Sequence, residues 1–169
     1  MTRTTMHRLC FAVVNFALLL ALALPSSGEK PARDEAGDLY FSANALYNRG
    51  LYELSAGEYR GFLKQHPQHE KAKRARLGLA LSLYGMGAYE EAVPLFKQIE
   101  RDLQGTEADE VTVLCGQSLL QLGRYAEAEE VFDRAVRNSS EKRHKQYALS
   151  GLTEALFRQE KWSDGNLQE

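Results

Sequence analysis

The chain is expected to be an all-α solenoid of stacked helix–turn–helix units, and three observations lead there. A pattern of glycine, aromatic, small residue and aromatic occurs three times: Gly50, Tyr52, Ser55 and Tyr59; Gly87, Tyr89, Ala92 and Phe96; Gly123, Tyr125, Ala128 and Phe132. Glycine to glycine, the steps are 37 residues (50 to 87) and 36 residues (87 to 123), within the range of helical repeats. Each glycine also separates two apolar-periodic stretches, where a turn is cheapest without a Cβ. Stacked units of this kind place function on a surface rather than in a catalytic pocket.

In chain order, the amino terminus comes first. Arg3, His7 and Arg8 precede the apolar run Leu9 to Leu24, broken only by Asn15, and Pro25, Ser26, Ser27 and Gly28 follow. A basic start, an apolar middle and a small-residue exit describe a secretory signal peptide over residues 1–28. The run is 16 residues, short of the about 20 needed to span a bilayer, so cleavage is expected near Gly28, or earlier at Ala21 and Ala23. An uncleaved anchor is the alternative. The expected location is therefore outside the cytoplasm, periplasmic or secreted. Cys10 lies at the start of the run, so no cysteine stands at its exit to accept a lipid. Residues 29–37, rich in charge, proline and glycine, read as a flexible tether.

The repeats are placed at about 38–68, 70–104 and 107–139. Leu77, Leu79, Ala80, Leu81, Leu83 and Tyr84 have the mixed spacing of a helix buried between neighbours, whereas Tyr89, Ala92, Val93 and Phe96 follow i, i+3, i+4, i+7 spacing. Ala80 and Ala92, like Gly116 and Ala128, permit close approach of paired helices; Phe96 and Phe132 fill the space between units. Thr106 and Ser139-Ser140 are candidates to cap the helices that follow them. A last helix at about 142–159 reads as a cap covering the third repeat with a polar outer face. A chain that continues in a longer protein is the rival explanation.

Composition excludes several classes of function. The net charge is −2, and Lys71, Lys73, Arg74 and Arg76 read as a solvated face spread around a helix, not a nucleic-acid site. After signal removal one cysteine remains, Cys115, which leaves no internal disulfide framework; its place among apolar residues makes it a small buried hydrophobe, with an intermolecular disulfide as the alternative. His66, His69 and Glu70 have the residue types of a metal set, but a proline-containing loop fixes no ligand geometry, and they read as an exposed turn. No nucleophile–base order, carboxylate pair or phosphate-cradling loop occurs in the context its chemistry requires. No enzyme activity, cofactor or metal is expected.

Gly87-Ala88-Tyr89-Glu90-Glu91-Ala92-Val93-Pro94-Leu95-Phe96 resembles the second-helix signature of the tetratricopeptide repeat family, and Gly123 to Phe132 resembles it nearly as closely. The first copy departs from it at Leu54 and Ser55, while Pro67 stands where the family often has proline. Toward the C terminus Trp162 takes the place of Tyr125, and Gly165 replaces the expected small helical residue. The resemblance covers roughly residues 38–160 and implies that first helices line a concave groove. Equivalent positions then form stripes: Tyr47, Tyr84, Leu120 and Phe157; Asn44, Leu81, Gln117 and Glu154; Tyr40, Leu77, Val113 and Ser150. Such a groove suits an extended or helical peptide with apolar anchors, hydrogen-bonded by Asn44 and Gln117. Part of each stripe could equally belong to the core.

The family's two-carboxylate clamp for chaperone carboxyl termini is not matched. Asn44 fits one position, but Tyr40, Gly78, Glu110 and Leu114 occupy the other four. The run Tyr59-Arg60-Gly61-Phe62-Leu63-Lys64-Gln65-His66-Pro67, followed by Ala72, Ala75 and Leu77, resembles the repeats of exported bacterial envelope proteins, the Tol–Pal partner and the outer-membrane assembly lipoproteins. That resemblance implies a non-catalytic scaffold binding a protein or peptide partner in the envelope. The alternatives are a recruiting or regulatory subunit of an envelope enzyme complex, or a self-assembling structural unit joined through Phe157 and Trp162. Nucleic acid is not an expected partner, and a membrane enters only through the export segment.

Overall fold

Three left-handed glycines set the architecture. The structure is a computed structural model that describes residues 34–139 and 141–165, with side chains as far as Gln159. Seven helices occur among the described residues: α1 (Glu35–Asn48), α2 (Tyr52–Gln65), α3 (Ala72–Gly85), α4 (Tyr89–Glu100), α5 (Thr106–Gln121), α6 (Tyr125–Asn138) and α7 (Lys142–Gly165). Gly50, Gly87 and Gly123 have φ of 73°, 79° and 71°, and each closes the first helix of a pair in the same way. The glycine N–H donates three residues back, to Tyr47, Tyr84 or Leu120 O, at 2.9–3.1 Å. The next residue's N–H donates five back, to Leu46, Leu83 or Leu119 O, at 2.9–3.0 Å. These paired bonds satisfy carbonyls that a helix end leaves open, and the geometry needs a residue tolerant of positive φ.

Every helix packs on the next, and α1 also meets α3 as α5 meets α7. The repeat's aromatic–small pattern explains the stacking. Ala80, Ala92 and Ala128 are fully buried beside Phe96 and Phe132, which are also fully buried. The Phe132 ring lies so close to Gly116 of α5 and Gly151 of α7 that a Cβ on either would come within 2.6 Å and 2.3 Å of it. Tyr59 crosses Gly78 in the same manner, at 2.3 Å. One large ring fitting against glycines of flanking helices fixes both their spacing and their register. Ser55, the departure in the first copy, serves as the small residue: it is fully buried, its hydroxyl donates to Ala43 O at 3.0 Å, and its Oγ lies 3.0 Å from Ser82 Oγ.

Ion pairs tie second helices to one another: Arg60 of α2 to Glu91 of α4 at 2.6 Å, Lys97 of α4 to Glu127 of α6 at 3.0 Å, and Arg134 of α6 to Glu100 of α4 at 3.1 Å. Arg124 also reaches Glu127 at 2.5 Å, and hydrogen bonds from Lys97 and Arg124 hold the Glu127 carboxyl below its usual range. All are solvent-exposed to a degree that makes each pair worth about 0–1 kcal/mol.

The structure departs from sequence expectation in four places. Glu35, Ala36 and Gly37, read as tether, belong to α1, where Glu35 and Asp38 complement the helix N-terminus; the rest of the tether apart from Asp34, and the signal segment, lie outside the described residues. Thr106 does not cap α5. Gly105, at φ 65°, occupies that position, and the Thr106 hydroxyl donates to Glu141 at 3.3 Å. The last helix runs on through residue 160, where the earlier repeats turn, because glutamate there offers no left-handed break. Its surface is not the polar one a cap requires, since Tyr147, Leu149, Leu156 and Phe157 are all exposed.

Candidate functional site

The first helices α1, α3, α5 and α7 carry the residues singled out from the sequence, and the structure sorts them. Tyr40 is half-buried, its ring centred 6.1 Å from Tyr59 and 6.0 Å from Phe62. Asn44 Oδ1 accepts the Tyr59 hydroxyl at 2.5 Å. Tyr84 donates to Gln117 Oε1 at 2.9 Å, which joins α3 to α5. Both amide oxygens expected to hold a peptide are thus already engaged within the chain. Tyr47 and Tyr84 each stack on the aromatic that opens the following helix, Tyr52 at 5.5 Å and Tyr89 at 5.6 Å. Burial, then the neighbouring tyrosine, raises both phenols; Glu110 adds to the effect at Tyr47.

Leu77, Leu81 and Leu120 are half-buried. Val113 is only 5 % exposed and belongs to the core, so it lines no groove. Helical periodicity could not separate these, because a helix between two neighbours is apolar over most of its circumference. Glu154 and Phe157 sit on the exposed side of α7, Phe157 at 52 %, beside Ser150, Thr153 and Arg158. Arg158 donates to Glu154 at 3.4 Å.

A recess of about 200 Å³ opens next to Leu77. It is lined by Lys73, Arg74, Arg76 and Leu77 from the first turn and a half of α3, by Ile99 of α4, by Asp102 and Leu103 of the connector that follows, and by Glu107 at the start of α5. Three basic residues read as spread around a helix therefore line one cavity. Only Lys71 stands apart, paired with Glu70 at 2.6 Å and lying 5.7 Å over the Phe41 ring. The sequence signal was the Lys-Arg-x-Arg-Leu run, whose i, i+1, i+3, i+4 spacing puts its members on one side of a helix.

The remaining candidates are structural. His66 and His69 both pack on Phe62, at 5.7 Å and 5.5 Å between ring centres, and His69 Nδ1 accepts the Lys71 amide at 3.1 Å. No group of His, Cys, Asp and Glu suited to a metal occurs among the described residues. Cys115 is fully buried, and that burial pushes its thiol up to about 11. No described helix is long and apolar enough to cross a membrane.

Comparison with known proteins agrees with this geometry. Family models described as tetratricopeptide repeat match residues 41–106 and 83–150. No curated protein matches the chain significantly. The crystal structure of the Sgt2 TPR domain from Aspergillus fumigatus superposes with a TM-score of 0.57 at 16 % identity, covering 79 % of this chain and 84 % of that one; at that identity the likeness concerns fold alone. With paired helices, left-handed glycine turns and ring-on-glycine packing recurring through the residues those models match, the chain belongs to the tetratricopeptide repeat family.

Proposed function

We propose that this protein is a non-catalytic adaptor that binds a segment of a partner protein along the row Tyr47, Leu81, Tyr84 and Leu120 on its first helices, and that it works outside the cytoplasm, in a bacterial envelope. Tetratricopeptide repeats act as protein-interaction scaffolds, which is the general ground for the reading. The observation that carries it is the sorting of side chains: this row remains half-buried on successive first helices, while three ion pairs join the second helices to one another. Half-buried aromatic and aliphatic side chains on a preformed surface are the usual anchors of an interface. The exported setting rests on the amino-terminal segment of residues 1–28 and on the envelope-type wording of Tyr59 to Pro67.

The test is capture from a bacterial envelope extract by immobilised protein, with the Tyr47→Ala/Tyr84→Ala variant beside it. Specific capture that is lost in the variant at unchanged helix content supports the reading. Equal capture by both moves the site away from the row.

One observation favours a second reading, self-association. Leu156 stands where Leu83 and Leu119 stand in the earlier repeats, both buried, yet is itself 43 % exposed, in company with Leu149 and Phe157. A mass that rises with concentration, and falls back in Leu156→Glu, would favour this reading.

A further inference from the structure

The recess beside Leu77 is used by nothing described so far. Leu77, Ile99 and Leu103 give it an apolar lining, and its volume is about 200 Å³. An apolar cavity of ~150 Å³ suffices to hold benzene, so one aromatic or branched aliphatic side chain fits. Its charge is divided by element. Lys73, Arg74 and Arg76 all come from α3, whereas Asp102 and Glu107 come from the connector after α4 and the start of α5. Among the described residues, the ion pairs of this surface engage other cations, and none ends on these three.

We propose that this recess is the anchor point for an acidic peptide segment: a single apolar side chain seats on Leu77, Ile99 and Leu103 while an adjacent carboxylate is held by the α3 cations. The proposal rests on the adaptor reading and names the chemistry of its partner. Side-chain chemistry favours this occupant over others. A purely apolar helix would leave three cations against uncharged surface, which costs their hydration without replacing it. A polyacidic run, or a nucleic acid, would also meet Asp102 and Glu107, which line the same recess, so repulsion limits the ligand to acid on the α3 side. Arginine matches a carboxylate bidentately, and two of the three cations are arginine. None of the family's clamp positions, Tyr40, Asn44, Gly78, Glu110 and Leu114, takes part.

Two synthetic peptides of equal length and charge test this, Gly-Ser-Asp-Phe-Asp-Ser-Gly and the same peptide with alanine for phenylalanine, titrated into the protein by NMR with isoleucine, leucine and valine methyls labelled. The phenylalanine peptide is expected to shift the Ile99, Leu103 and Leu77 methyls saturably, and the alanine peptide to bind at least tenfold more weakly. Arg74→Glu/Arg76→Glu should weaken binding at least tenfold, and Glu107→Lys should strengthen it several-fold, a gain that no loss of folding can produce. Shifts confined to Leu81 and Leu120 would overturn the anchor site and leave the adaptor reading standing. No shift at either place up to millimolar peptide would overturn the anchor site, and the envelope capture then decides the adaptor reading separately. Binding of a single-stranded oligonucleotide to the same methyls, with none by the phenylalanine peptide, would overturn it in favour of a nucleic-acid surface.

Discussion

Phe132 shows how one ring decides which residues its neighbours can be. It is fully buried between Gly116 and Gly151, and a methyl group at either glycine has no room unless the ring or a helix moves. Gly116→Ala and Gly151→Ala are each expected to lower stability by about 1–3 kcal/mol in urea unfolding, the usual cost of overpacking. Adding Phe132→Leu to Gly151→Ala should cost less than the sum of the two changes, because they act on the same space. Gly57 and Gly61 on α2 have nothing within reach of a Cβ; alanine there should be stabilising by up to about 1 kcal/mol through helix propensity alone. Titration adds a residue-scale prediction. Burial raises the Tyr59 phenol from 10.0 to about 12 and the Cys115 thiol from 9.0 to about 11. Both groups fold in their neutral forms, so the unfolded chain releases protons first as pH rises. Stability is expected to hold below about pH 9 and to fall above it, with Cys115→Ala removing the part between pH 9 and 11; equilibrium unfolding across that range checks it. The small and aromatic positions were legible in the sequence as residue types. The Ser55–Ser82 contact and the Tyr59–Asn44 bond were not, because they join residues 27 and 15 apart whose meeting depends on how the helices pack.

Among the elements, the turns are the most deterministic part of the fold. Gly50, Gly87 and Gly123 take the same left-handed conformation with the same two backbone bonds, so the glycine of the sequence pattern translates directly into geometry. Around Gly87 a Cβ would meet no atom closer than 4.0 Å. Gly87→Ala therefore isolates the conformational cost, expected at about 1–2 kcal/mol for a left-handed alanine, and thermal unfolding should register it. The same rule accounts for α7, which continues through residue 160 because glutamate stands where glycine would turn the chain. Helix starts were harder to read. None of α2, α4, α5 and α6 has a side-chain cap; acidic residues of their first turns, such as Glu90 and Glu91 of α4, serve instead, and a capping rule applied to Thr106 looked for a hydroxyl where Gly105 supplies backbone. The recess was also out of reach of the sequence. Its lining comes from residues 73–77 and 98–107, and only the stacking of α3, α4 and α5 reveals that they share one cavity.

At the scale of the whole repeat array, chemistry is divided between two faces. Second helices exchange charge pairs along the stack, from Arg60–Glu91 through Lys97–Glu127 to Arg134–Glu100, and first helices keep the aromatic and aliphatic row. The helical repeat class was readable from the 37- and 36-residue steps, since periodicity survives without knowledge of packing. Which row members stay accessible was not, and Val113 was lost to the core for that reason. The most direct test of the adaptor account places a photo-crosslinking amino acid at Leu81 on α3 and, in a second protein, at Gly57 on α2, where open space tolerates it. The account predicts that the protein captured from the envelope extract is crosslinked at Leu81 and not at Gly57. Crosslinking at Gly57 with none at Leu81 would contradict it and assign recognition to the second helices.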